Sequence, residues 1–322
     1  MMGELIRGIF ASHFDNDILN RMEDAALLPV HTGRIAFTTD SFVVDPLFFP
    51  GGDIGRLAVC GTVNDLLMRG ATPKYLSAGF ILEEGLEIEV LERVASSMRE
   101  AADEAGVRIV AGDTKVIEGH GRGGLYLNTA GIGLMETEMD ISAHNASDGD
   151  AVLVSGTLGE HHACILSARM GVQNNIHSDC APLTDMVANL LQSGTNVHAM
   201  RDLTRGGLAT ALHEIAQSSG VRIVLDGSVG LANDSVQGFC DILGLDPLYM
   251  GNEGKIALIL PQGDAAGALE IIRRSKYGER ARIVGKVVEV RCETAPGVAI
   301  TTRAGGERKL EPLLGEGLPR IC

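Results

Sequence analysis

Apolar and polar positions alternate along the chain in two rhythms, one near 3.6 residues and one of 2, and each predicts an element. In the first half, GELIRGIFASHF (3–14) has apolar residues near helical spacing and predicts an amphipathic helix. RIAFTTD (34–40) predicts a strand ending at Asp40, and DIGRLAVCGTVNDLLMRG (53–70) places Ile54, Leu57, Ala58, Leu66 and Leu67 at helical spacing. KYLSAGFIL (74–82) predicts a strand, and EIEVLERVASSMREAADEAG (87–106) predicts a helix closed by Gly106. VRIVAGDTK (107–115) predicts a strand running into a turn, and LYLNTAGIGLM (125–135) a further strand.

The polar stretch ETEMDISAHNASDGD (136–150) interrupts this pattern and marks a domain boundary near 140–150. Beyond it, strands are predicted at 151–155, 196–200, 221–225, 255–260 and 281–288. Helices are predicted at 159–170, 183–193, 206–219, 232–243 and 264–275. Mixed strands and helices in both halves predict two α/β or α+β domains, 1–145 and 146–302. From about Thr302 the pattern breaks: Gly305, Gly306, Gly315 and Gly317 alternate with Pro312 and Pro319. Residues 303–322 therefore read as a mobile or loosely docked tail. Fully extended, about 20 residues would reach ~60 Å.

Composition narrows the function. The 322 residues carry a formal net charge of -15, which argues against a general nucleic-acid surface or a polybasic membrane surface. Trp is absent and aromatics are 4%, too few for base-stacking platforms. No secretory signal and no run of 18 apolar residues is visible, so the reading is a cytoplasmic protein without a membrane span. The six cysteines form no CxxC motif and fit reduced thiols. Five read as buried small hydrophobes. Cys322, on the Gly/Pro-rich tail, does not.

Asp24, Asp40 and Asp113 fall at predicted strand or turn ends, and Asp65 lies on a predicted helix. Each is also an ordinary turn or cap residue. Together they suggest carboxylates gathered along one sheet edge, where Mg²⁺ bridged to phosphate oxygens would relieve their repulsion. Lys115 would then face the phosphates or the reacting group; otherwise it is a surface lysine. Gly206 and Gly207 in RDLTRGG lead into a helix whose first N–H groups could bind an anion, and a tight turn explains them equally well. Glu253 and Lys255 occupy a Gly-flanked loop before a buried strand. His161 and His162 are adjacent rather than four apart, so no metal is expected there.

The motifs FTTDSFVVDPLFFPGGDIGRLAVCGTVNDL, GDTKV, LVSGTLGEH, SDCAPL, RDLTRGG, NEGK and terminal PRIC, in this order, resemble the HypE family of hydrogenase maturation proteins. These are carbamoyl dehydratases of the aminoimidazole ribonucleotide synthetase and selenophosphate synthetase superfamily. The resemblance covers nearly the whole chain, and PRIC is its most specific part. It implies the two-domain, PurM-like ATP-binding fold and a homodimer built through the N-terminal sheets. It implies that Cys322 accepts a carbamoyl group from the carbamoyltransferase HypF and that ATP drives its dehydration to a thiocyanate. The cyano group would then pass to iron on the HypC–HypD complex, for the Fe(CN)₂CO centre of [NiFe]-hydrogenase. It implies Mg-ATP binding through Asp24, Asp40, Asn64, Asp65, Gly112, Asp113 and Thr114, with Asp40, Asp65 and Asp113 toward Mg²⁺. Lys115 and Glu253 would help deprotonate the carboxamide nitrogen. Family members usually carry a Gly-rich, HGSGG-like segment before the helix that begins MMGELI, and this sequence lacks it.

Two other readings compete. A selenophosphate synthetase would want a reactive cysteine near its N-terminus, and none precedes Cys60. A non-catalytic sulfur carrier or docking protein using LPRIC would leave the aspartates unexplained.

Overall fold

The computed structural model describes residues 26–30, 33–119, 124–135, 139–290, 295–302 and 305–313. The helix predicted at 3–14 lies outside them. Strands β1 (Ala26–Val30) and β2 (Gly33–Phe42) come first, then a short hairpin, β3 (Phe48–Phe49) and β4 (Gly52–Asp53). Helix α1 (Ile54–Met68), β5 (Thr72–Glu83), α2 (Ile88–Ala105), β6 (Arg108–Ile117) and β7 (Leu125–Met135) complete the first half. The second half runs β8 (Asp150–Val154), α3 (Glu160–Met170), α4 (Thr184–Gln192), β9 (Ala199–Asp202) and α5 (Gly207–Ser219). It continues with β10 (Arg222–Leu225), α6 (Asp234–Leu243), β11 (Ile256–Pro261), α7 (Ala265–Arg274), β12 (Arg282–Val288), β13 (Gly297–Thr301) and β14 (Glu307–Leu310).

The first sheet has the order β1-β2-β7-β5-β6, antiparallel except for the parallel pair β5–β6. Paired strand residues share a face. Ala36, Phe42, Leu76, Ala78, Leu125 and Leu127 are buried on the inner face. Helix α1 covers that face, and α2 packs on α1. Asp53 caps α1 by accepting the Gly55 and Arg56 N–H groups at 2.7 and 3.1 Å. Helix α1 is apolar on nearly every side because β9 and α4 of the second half close over its remaining surface. The outer face of this sheet exposes Phe37, Tyr75, Ile81 and Ile132.

The second sheet has the order β14-β13-β10-β12-β8-β11-β9, with only β10–β13 parallel. All five residues of β8 are buried, as in a strand covered on both faces. One hydrophobic cluster runs from Phe42 through α1 to Ala281, so the two halves share a core. A second cluster surrounds α5. No helix among the described residues is long and apolar enough to cross a membrane.

Three expectations need correction. Strand β2 continues two residues beyond Asp40, and β6 continues four beyond Asp113, so both aspartates lie within strands. Strands β13 and β14 were not predicted. The stretch expected as a loose tail from 303 includes β14, which pairs antiparallel with β13. Leu310 is buried, and the Tyr249 hydroxyl donates to the Glu311 carbonyl at 2.8 Å. Ladder hydrogen bonds and an apolar anchor thus outweigh the Gly-rich composition.

Leu310→Ala should therefore lower global stability by about 2 kcal/mol or more, as core truncations do. Chemical denaturation measures this, and a change below about 0.5 kcal/mol, typical of a surface site, would show the segment undocked.

Candidate active site

Strand β2, helix α1 and the end of β9 bring acidic side chains together between the two sheets. Asp40 lies on the inner face of β2, and Gly61 of α1 sits against it: a Cβ there would be 3.6 Å from Asp40 Oδ2 and 2.9 Å from the Phe42 ring. Asp65, one turn further along α1, accepts a hydrogen bond from Thr38 Oγ1 at 2.9 Å. Asp202 ends β9 and pairs with Ile256 of β11. After it the chain turns through Gly206 and Gly207, at φ 76° and 58°. A Cβ on Gly207 would meet the Met250 carbonyl at 2.6 Å. This turn therefore needs glycine, both for its positive φ and for the close approach.

These groups repel one another. Burial raises the Asp40 carboxyl, against the Ser41 N–H and the Arg205 charge. Burial, then Asp202 and Asp40, hold Asp65 well above the usual carboxylate range. Burial and Asp40 push Asp202 up to about 6, against Arg201 and Thr204. Glu253 is raised strongly by burial, then by Asp202, Asp179 and Asp40. The excess negative charge fits a cation, and Arg205 fits phosphate oxygens. Among the described residues, no three His, Cys, Asp or Glu side chains are arranged to chelate a bare ion. A Mg²⁺ ion that keeps waters and shares its shell with phosphates would need fewer protein ligands than that.

The Glu253 loop is built from residues 178–183. The Glu253 N–H donates to Asp179 Oδ1 at 3.1 Å, and the Glu253 carbonyl accepts from Ala181 N and Asn64 Nδ2, both at 3.4 Å. Lys255 is buried, with Asp179 at 3.1 Å and Glu160 at 3.3 Å. Burial would lower its pKa, but these two carboxylates outweigh burial and raise it.

Of the predicted site residues, the fold brings Asp40, Asp65 and Glu253 together. Asn64 is buried and committed to the protein: besides Glu253 it donates to the Ala181 carbonyl at 3.1 Å and accepts from Leu183 N at 3.0 Å. With those hydrogen bonds made, its amide bridges the two halves. Gly112, Asp113, Thr114 and Lys115 all lie on β6, an exposed edge strand. Asp113 pairs with Gly79 and Lys115 with Ile81, which puts both on the outer face, away from α1, Asp40 and Asp65. The predicted single row of aspartates is thus divided between two faces of one sheet. Asp24 and Cys322 lie outside the described residues. Asp202 and Arg205 were missed, although RDLTRGG marked their segment; an aspartate closing a strand before a Gly-Gly turn was the available signal.

The adjacent histidines are core groups. His161 Nδ1 shares a 2.7 Å hydrogen bond with Ser178 Oγ, and its ring meets Phe49 edge-on at 5.4 Å. Burial lowers the pKa of each to about 4. Cys60, Cys164, Cys180 and Cys240 are buried free thiols.

Comparison with known proteins places this chain in a class. Residues 22–135 match the AIR synthase related protein, N-terminal domain, and residues 147–295 the corresponding C-terminal domain. Both halves therefore belong to the AIR synthase related class of proteins. Within that class, the chain is 45% identical to the carbamoyl dehydratase HypE of Rhodobacter capsulatus, across 100% of this chain and 95% of that protein. A crystal structure of a HypE–HypF complex superposes with a TM-score of 0.90 at 45% identity, covering 96% of this chain and 99% of that one. HypE crystallised with ATP superposes at 0.87 and 47% identity, covering 100% and 96%. The chain belongs to the carbamoyl dehydratase HypE family of hydrogenase maturation enzymes.

The raised carboxylates carry a stability signature. Asp202 has an ordinary unfolded pKa near 3.8 and a folded value of about 6. Folding favours its acid form, so the contribution is complete below pH 4 and is lost as pH rises through 6. Asp202→Asn should stabilise the nucleotide-free protein above pH 6 by on the order of 1–3 kcal/mol and change little below pH 4. Thermal unfolding across pH 4–8 tests this; a pH-independent difference would contradict it.

Proposed function

We propose that this chain carries a carbamoyl group as an S-carboxamide on Cys322 and dehydrates it to a thiocyanate, using ATP. The convergence of Asp40, Asp65, Asp202 and Glu253, in a chain of this family, is the observation that supports it. The carbamoyl group would come from HypF, and the cyano group would pass to HypC–HypD for the Fe(CN)₂CO centre of [NiFe]-hydrogenase. This is a cytoplasmic role. A carrier and dehydratase need three parts: units 1–145 and 146–302, and a carrier segment rooted at Leu310.

Asp40, Asp65 and Asp202 would hold Mg²⁺, and Arg205 would bind phosphate oxygens. Mg-ATP, when bound, supplies the phosphoryl group that makes the amide oxygen a good leaving group. Overall, S-carboxamide and ATP become thiocyanate, ADP, phosphate and a proton. Glu253 would take the nitrogen proton. Its raised affinity for a proton makes it a stronger base once ionised. The buried setting keeps water away from the product.

Lys115 and Asp113 cannot serve the same site within one protomer if the outer face is left bare. We infer that two copies pack these faces together. Phe37, Tyr75, Ile81 and Ile132 form the apolar part of that surface. The packing would bring β6 of one protomer to the carboxylates of its partner.

Intact mass after incubation with HypF, carbamoyl phosphate and ATP tests the chemistry. Cys322→Ala should gain no carbamoyl adduct. Glu253→Ala should gain it and lose water at least 10-fold more slowly, the range of a positioned base. Loss of water at the parent rate would remove Glu253 from the reaction. A mixing experiment tests the shared site: Lys115→Ala and Glu253→Ala chains, each strongly impaired, should regain up to about a quarter of the parental activity per site when combined in equal amounts, since about half the dimers are mixed and each has one intact site. No recovery after confirmed subunit exchange would place Lys115 and Glu253 of one chain in one site.

A further inference from the structure

Among the buried carboxylates to which the reaction described above gives no role, Asp179 touches the Glu253 loop. The Asp179 side chain is 3% exposed. Its Oδ1 accepts the Glu253 N–H at 3.1 Å, and its Oδ2 lies 3.1 Å from Lys255 Nζ. We propose that Asp179 is a positioning residue for Glu253, holding the Asn252–Lys255 turn at both ends so that the Glu253 carboxyl stays aimed at the carboxamide nitrogen. This rests on the proposed role of Glu253.

The turn has little freedom elsewhere. The Glu253 carbonyl is held by Ala181 and Asn64. A Cβ on Gly254 would lie 2.0 Å from the Asp179 carbonyl and 3.2 Å from Ala181 Cβ, so the two backbones touch. The 178–183 segment is itself fixed on both sides. Ser178 N donates to the Pro50 carbonyl at 2.8 Å, and Arg56 Nε donates to the Cys180 carbonyl at 3.0 Å. Residues of the first half thus set where Asp179 stands, and Asp179 sets where Glu253 stands.

Stability alone does not call for an aspartate here. Lys255 already has Glu160, which is oriented by Thr157 Oγ1 at 2.7 Å and Asn233 Nδ2 at 2.8 Å. A second buried carboxylate adds repulsion to a group already crowded with negative charge. What Asp179 contributes, and Glu160 does not, is the acceptor for the Glu253 N–H. One planar carboxylate ties that amide to the lysine two residues on, which a single-acceptor side chain cannot do.

A double-mutant cycle on the full chain tests this, following single-turnover loss of water from the Cys322 adduct by intact mass. Asp179→Ala should slow dehydration at least 10-fold. Carbamoyl acceptance and the ATP concentration for half-maximal rate should stay within twofold of the parent. In a Glu253→Ala background, the same substitution should change the rate less than twofold, because a residue acting through Glu253 has nothing left to position. Equal fold losses in both backgrounds, or a parental rate in Asp179→Ala, would overturn the proposal. Lys255 keeps Glu160 in this variant; should it still fail to fold, Asp179→Leu, of similar shape and without an acceptor for the Glu253 N–H, carries the same cycle and the same outcomes. A parent chain that forms no adduct, or loses no water with ATP, would defeat the Glu253 reading itself and this role with it.

Discussion

Repulsion among buried carboxylates is the constraint on which the rest of the molecule depends. Asp40, Asp65, Asp202 and Glu253 come from a strand, a helix, a second sheet and a loop. Each is raised by burial and by at least one of the others, save Asp40, which burial raises against the nearby Arg205 charge. Left to itself such a group would drive the two sheets apart. The shared hydrophobic core through α1 holds them together, and a cation with phosphate would relieve the strain on binding. Apolar burial of this extent is worth tens of kcal/mol before entropy is counted, against a few for the charges. The fold can therefore keep an unfavourable site assembled and ready for its ligand.

Helix α1 is the mechanical centre of this arrangement. It presents Asp65 to Thr38, Gly61 to Asp40, Asn64 to the Glu253 loop and Arg56 to Cys180. One rigid element thus fixes the relative positions of the acidic side chains and the Glu253 loop. Helices hold catalytic geometry more tightly than loops do. That accounts for a helix with polar groups at Asn64 and Asp65 in an otherwise apolar run.

Much of this was legible in the sequence. Periodicity gave α1 and α2 because both are long and regularly patterned, and Gly106 closes α2 in the left-handed conformation, φ 70°. Asp40 and Asp65 were legible as members of a set of four aspartates, one at the end of a short apolar run and the other on a helix. Asp202 follows the rule applied to Asp40, but its strand is only four residues long and its Gly-Gly turn has a sufficient local explanation. The alternation along AGDTK shows that Asp113 and Lys115 share a face. Which face that is depends on strand pairing across the sheet, which no local pattern carries. Strand β14 was hidden because ERKL is three-quarters polar and its single apolar anchor, Leu310, is recognisable only against β13.

The docked root at Leu310 has a kinetic consequence. Cys322 is twelve positions beyond it, so the thiol can never be more than ~40 Å from that root. One thiol confined to a sphere of that radius has an effective concentration of several millimolar or more, on the order expected of a short tether. Its encounters with its own protein are therefore first-order and independent of how dilute the protein is in the cell. Under the proposed carrier role, only its meetings with partner proteins would remain second-order. Loading and unloading would then respond to partner abundance, while the chemistry between them runs at a rate set by the protein itself.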